Sequence, residues 1–193
     1  RIMLRKLANF SMQGRWQAAM VIAAMSLMAL AIPPLSYLGS GIVALSTLRG
    51  GPKEGITVVA IAAIVFAIAA TFLLSQPQIT GLFLISSWLP VYGVALILGY
   101  TRSLVLSLLV TVGIGLLLVV GAYLVLSDPA AWWLQMVGPF VEMLQAQPDW
   151  QLEQAETESF VAALSSMMTG LIFAGLFTNV VLGLLLGRAW QAD

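Results

Sequence analysis

Long apolar runs, separated by short polar or proline-bearing breaks, set the pattern of this chain. A membrane-spanning helix needs about 20 such residues, since the hydrocarbon core is about 30 Å thick and a helix rises about 1.5 Å per residue. Residues 56–74, 79–99, 103–126 and 160–187 meet this with no Asp, Glu, Lys or Arg inside them. The stretch 16–48 is too long for one span and short for two, and Pro33-Pro34 near its middle decides the reading. Neither proline donates a helical hydrogen bond, and each disfavours helix in the residue before it. The stretch therefore reads as two short helices, residues 17–32 and 35–48, which tilt or thin the bilayer locally. The pattern predicts an all-α polytopic membrane protein: one domain, residues 16–193, with six transmembrane helices.

Charge placement gives the orientation. Six spans put Arg1, Arg5, Lys6, Arg15, Arg49, Lys53, Arg102 and Arg188 on one face, which is every basic residue in the chain. The opposite face receives Asp128, Glu142, Asp149, Glu153, Glu156 and Glu158 and no base. The positive-inside rule then predicts cytoplasmic N- and C-termini in a bacterial inner membrane. Treating 16–48 as one helix would set Arg1, Arg5, Lys6 and Arg15 across the membrane from Arg49 and Lys53. Ala29-Leu30-Ala31, after a basic start, imitates a signal-peptide cleavage site; the sequence runs on through it, and it is read as part of a span. The chain starts with Arg and stops three residues past Trp190, so a longer natural chain is expected.

Two segments read as lying on the membrane. Residues 1–15 form a cytoplasmic amphipathic helix, with Met3, Leu7 and Phe10 on one face and Arg1, Arg5, Lys6, Asn9 and Gln13 on the other. That pattern suits an anchor on anionic lipid or a docking helix for a partner protein. In the periplasmic loop 127–159, Asp128-Pro129 reads as a helix start, with Asp at the N-cap and Pro at the first helical position. Trp132, Met136, Phe140 and Leu144 make an apolar stripe, Gly138-Pro139 a kink, and Trp132-Trp133 an aromatic belt. Pro148-Asp149 then opens an acidic turn. This outer interfacial helix is either a solvated connector or a ligand gate.

Composition narrows the chemistry. Hydrophobic residues make up 61% of the chain and charged ones 8%, with a mean hydropathy of +1.01; a soluble domain carries about 25% charged residues. The formal charge is zero, so there is no basic surface for nucleic acid. With no Cys and no His, disulfides, Cys/His zinc sites and imidazole-based catalysis are excluded. The spans hold no ionisable side chain, which removes paired-Asp proteolysis and proton relays. No catalytic activity, cofactor or metal is expected.

The remaining polar features are mild. Ser86-Ser87-Trp88-Leu89-Pro90, with Tyr92, falls mid-span; Pro90 frees the carbonyl of Ser86, as in the interrupted helices of transporter sites. The serines can equally satisfy that backbone locally. Asn179 needs a hydrogen-bond partner, expected on another helix. Ala19/Ala23, Ala63/Ala67 and Gly183/Gly187 are small residues four apart, and Gly113, Gly115 and Gly121 stud one span. Such faces serve internal packing or partner docking.

The stretches LANFSMQGRWQA at 7–18, PLSYL at 34–38 and VALSTLR at 43–49, with Glu54-Gly55, resemble the YybS-like bacterial membrane proteins. That family is distantly similar to the S components of energy-coupling factor transporters and to the rod-shape protein MreD. The S-component likeness implies docking on a transmembrane coupling subunit with ATPases through Ala19 and Ala23. It also implies a small-molecule pocket under the outer loops around Tyr37, residues 76–80 and Trp132-Trp133, lined by Ser86, Ser87, Trp88 or Tyr92. The likeness to MreD implies instead a non-catalytic scaffold or accessory subunit of a membrane or cell-envelope assembly.

Overall fold

Prolines and one glycine decide where the helices of this chain start and stop. The computed structural model describes residues 6, 9–75, 78–126, 128–145 and 154–192, and every regular element among them is helical. Residues 1–5, 7 and 8 of the expected interfacial helix, Gln76-Pro77 and the acidic segment 146–153 lie outside the described residues. Helix α1, Arg15–Ala29, follows an extended Gly14. Beyond it, residues 30–34 turn, with Ser36 and Tyr37 donating backbone hydrogen bonds to Pro33 and Pro34. Helix α2 then spans Leu35–Leu74.

One residue divides α2. Gly51 has φ 80° and ψ −175°, a backbone conformation essentially restricted to glycine. Pro52 follows, where a missing N–H costs a new helix nothing. A side chain at Gly55 would meet Thr47 Cβ at 3.0 Å. In an unbroken helix, positions 47 and 55 would stand about 12 Å apart. The chain therefore reverses at Gly51, and residues 35–50 and 52–74 are two arms of a hairpin. The loop expected at 49–55 is thus replaced by a single-residue reversal.

Helices α3 (Gln78–Phe83) and α4 (Leu89–Thr101) are joined by a π-helical turn, Leu84–Trp88. Pro90 is its cause. Proline removes one N–H from the ladder and crowds the carbonyl four residues back; the wider turn relieves this, with the Leu89 N–H bonded to Leu84 O, five residues back. The interruption expected at Ser86 takes this π-helical form. Helices α5 (Leu104–Val125), α6 (Pro129–Gln145) and α7 (Gln154–Ala192) complete the order.

Among the described residues, four helical stretches are long and apolar enough to cross a membrane: Leu35–Leu73, Gln78–Thr101, Leu104–Val125 and Glu156–Gln191. Large apolar side chains also stand outside, Phe72 84% and Ile85 75% exposed. The interior, by contrast, is made largely of small residues: Ala18, Ala19, Ala23, Ala44, Ala62, Ala70 and Ala95 are all buried. Where the surroundings are as apolar as the core, helices associate by close packing, and small side chains permit it.

The chain divides into two compact units, Arg1–Thr111 with Leu176–Asp193, and Val112–Gly175. The first contains all eight basic residues; the second contains six of the eight acidic ones and no base. In the first unit α1, both arms of α2, the α3–α4 rod and the end of α7 share one core. In the second, Asp128 Oδ1 accepts a hydrogen bond from the Ala131 N–H at 3.0 Å and caps α6. Trp133 Nε1 donates to Thr169 Oγ1 at 2.8 Å, tying α6 to α7.

Candidate functional site

Three polar side chains meet inside the first unit. Ser40 of α2 donates to Asn179 Oδ1 of α7 at 3.1 Å, and Asn179 Nδ2 donates to Ser87 Oγ of the π-helical turn at 2.8 Å. Ser40 Oγ and Ser87 Oγ are 2.9 Å apart. A hydroxyl has one proton to give; Ser40 gives its own to Asn179, so Ser87 donates to Ser40. The result is a closed ring in which each member donates once and accepts once. All three residues are buried. Closed rings of this kind strengthen cooperatively and leave little polarity for a ligand. Such bonds in membrane bundles contribute about 0.6 kcal/mol on average and up to about 1.7. Asn179→Ala is expected to cost about 1 kcal/mol and to lower the thermal midpoint in detergent; an unchanged midpoint would show that the ring contributes no stability.

Beside the ring, Trp88 is 1% exposed. Its ring stands edge-on to Phe66 at 5.7 Å and lies 6.1 Å from Phe83, which in turn is 5.1 Å from Phe66. Edge-to-face and tilted arrangements at these distances are favourable. The aromatic trio fills the space around Trp88.

The other residues singled out by sequence are dispersed. Ser86 is half-buried, next to Ser87 but not in the ring. Tyr92 points its hydroxyl to Pro52 O at 3.1 Å, at the Gly51 end of the hairpin. Tyr37 is half-buried in the first turn of α2. Trp132 and Trp133 belong to the second unit and stack edge to face, 4.7 Å between centroids. The structure thus brings Ser87 and Trp88 together and does not gather the remainder around them.

The four small residues considered for docking all face inward. Ala19 and Ala23 are buried in the core of the first unit. Gly183 lies against Ser40, and Gly187 against Gly41, Ala44 and Leu45. This is the internal-packing use of the small-residue pattern. Ser40 escaped the sequence reading, although Gly39-Ser40-Gly41 inside an apolar run and the need of Asn179 for a partner were its signals.

The Gly51 end of this unit gathers the basic residues. Arg15 Nε donates to both carboxylate oxygens of Glu54, at 2.8 and 2.7 Å. Arg49 Nη2 donates to Trp190 O at 2.7 Å and Gln191 O at 3.3 Å, while Gln191 Nε2 donates to Leu48 O at 3.3 Å. Arg49 so caps the carbonyl end of α7, where a cation is favoured by the helix dipole. Among the described residues no three His, Cys, Asp or Glu side chains converge where a metal ion could sit. Comparison with protein-family models, curated proteins and solved structures gives no match.

Proposed function

We propose that this chain is a non-catalytic subunit of a membrane or cell-envelope assembly, a scaffold or accessory component. The observation that carries the reading is the filled middle of the first unit. Where a transporter would place its ligand, Trp88 is enclosed by Phe66 and Phe83, and Ser40, Ser87 and Asn179 satisfy one another. The YybS-like resemblance is compatible with it through that family's distant similarity to MreD.

The topology proposed with it has six crossings, both arms of α2 counting separately, and cytoplasmic termini in a bacterial inner membrane. The partition of charge between the two units supports this orientation.

A second reading, a small-molecule-binding S-component-like subunit, rests on a cleft of about 300 Å³ between α6 and α7. It is lined in part by Leu134, Val141, Glu142, Glu158 and Val161. Purification in mild detergent, with mass spectrometry of proteins and small molecules, separates the two. Reproducible recovery of envelope proteins without a small molecule is the expected result. Recovery of coupling ATPases with a bound small molecule would overturn the scaffold reading.

A further inference from the structure

At the basic end of the first unit, a cleft of about 570 Å³ opens between the arm 35–50, α4 and the end of α7. Its lining is Leu48, Leu98, Gly99, Arg102, Arg188 and Gln191. The arginines around it differ in what they do. Arg15 is held by Glu54, and Arg49 by the carbonyls that end α7. The side chains of Arg102 and Arg188 make no hydrogen bond or ion pair with another described residue. Two arginines therefore line one cleft, without an acid among its lining residues to neutralise them.

The backbone at this place is also unusual. Arg102 ends α4 in the left-handed conformation, φ 54° and ψ 17°, which is uncommon for a residue with a β-carbon. Glycine or asparagine is the ordinary choice for such a helix end. An arginine there bears a conformational cost that a glycine would avoid, as Ser75 does at the end of α2. Gly99, one turn earlier in the same wall, has nothing within 4 Å of where a β-carbon would stand.

We propose that this cleft binds a phosphate group, held by Arg102 and Arg188 with Gln191 as an additional donor. Guanidinium groups match phosphate oxygens in geometry and charge. Leu48 and Leu98 supply an apolar wall, which suits a phosphate carried on a hydrocarbon tail at the membrane surface; basic pockets between transmembrane helices hold such headgroups. The inference rests on the chain being a membrane protein and is independent of whether it acts as a scaffold or a transporter subunit.

The test uses the full chain in nanodiscs of zwitterionic lipid alone or with about 30 mol% phosphatidylglycerol, an anionic lipid that gives the membrane a negative surface. Lipid retained through delipidation is read by native mass spectrometry, and inorganic phosphate and glycerol phosphate are titrated separately by calorimetry. Three variants are compared: Arg102→Gln, Arg188→Gln, and Gly99→Trp, which fills the cleft and keeps both charges. Retention of phosphatidylglycerol that falls at least about ten-fold in each, with unchanged thermal midpoints, is the expected result, since charge-assisted hydrogen bonds of this kind are worth about a factor of ten or more. Binding of the soluble phosphates with the same variant dependence, and no lipid retention, would assign the site to a free phosphate compound. Equal retention in wild type and all three variants, with no soluble phosphate bound, would overturn the proposal. A lowered midpoint in one arginine variant leaves Gly99→Trp to decide, because it removes no charge.

Discussion

Gly187→Leu is expected to separate α7 from the first arm of α2 and to prevent the first unit from holding its fold. The reason is the closeness of the two backbones. A β-carbon at Gly187 would stand 2.6 Å from Ala44 Cβ, 2.9 Å from Leu45 N and 3.0 Å from Gly41 O. Two of these three atoms are main chain, so no side-chain rotation relieves the contact. Overpacking a well-packed interior costs about 1–3 kcal/mol and sometimes more. Gly187→Ala should fall in that range and Gly187→Leu above it. The damage would spread, because the same approach positions Asn179 for Ser40 and Trp190 O for Arg49. Gly113→Ala is the control: nothing lies within 4 Å of its β-carbon position, and in a helix interior the change should be neutral or stabilise by about 0.5–1 kcal/mol. Thermal unfolding in detergent, followed by circular dichroism, reads all three. If Gly187→Leu unfolded like the wild type but no longer recovered a partner, the Gly183/Gly187 face would be a docking surface after all.

How far the sequence foretold this arrangement depends on the kind of signal. Long apolar runs and prolines act locally, so the helical class, the break at Pro33-Pro34 and the start of α6 at Asp128-Pro129 could be read directly. The division of charge was legible for the same reason: it is a count along the chain. The hairpin at Gly51 was less so. Gly50-Gly51-Pro52 announces an interruption, but whether the chain bends, loops or reverses is decided by what the two arms pack against. Pairings between distant residues were the least accessible. Asn179 was known to need a partner, yet Ser40 lies 139 positions away, and nothing in one sequence ties the two together. Trp88 shows the same limit. A tryptophan beside two serines and a proline has the appearance of a ligand site; only the approach of Phe66 and Phe83 identifies it as core. The clustering of Arg102 and Arg188 at one cleft likewise appears only when α4 and α7 are brought side by side.

Gly51→Ala is expected to destabilise the protein although it touches nothing. No atom lies within 4 Å of its β-carbon position, so the whole effect comes from the backbone. A φ of 80° with ψ near 180° is closed to residues with a β-carbon, and forcing one there costs about 1–3 kcal/mol. The hairpin should survive that single change, because Pro52 still interrupts the helical ladder and the arms remain packed. Replacing both breakers, in Gly51→Ala with Pro52→Ala, removes the local reason for reversal and leaves only the packing of the arms to oppose a continuous helix. Spin labels at Tyr37 and Phe72 would distinguish the outcomes. In a straight helix these positions stand about 52 Å apart at about 1.5 Å per residue. Arms folded back at Gly51, about 24 Å and 34 Å long by the same rise, bring the labels well under 30 Å. The wild type and Gly51→Ala should give the short distance, with the variant melting earlier, and the double variant should add a population near the long one. A long distance in the wild type would refute the reversal. A single variant as stable as the wild type would mean that Gly51 does not hold the conformation on which the hairpin depends.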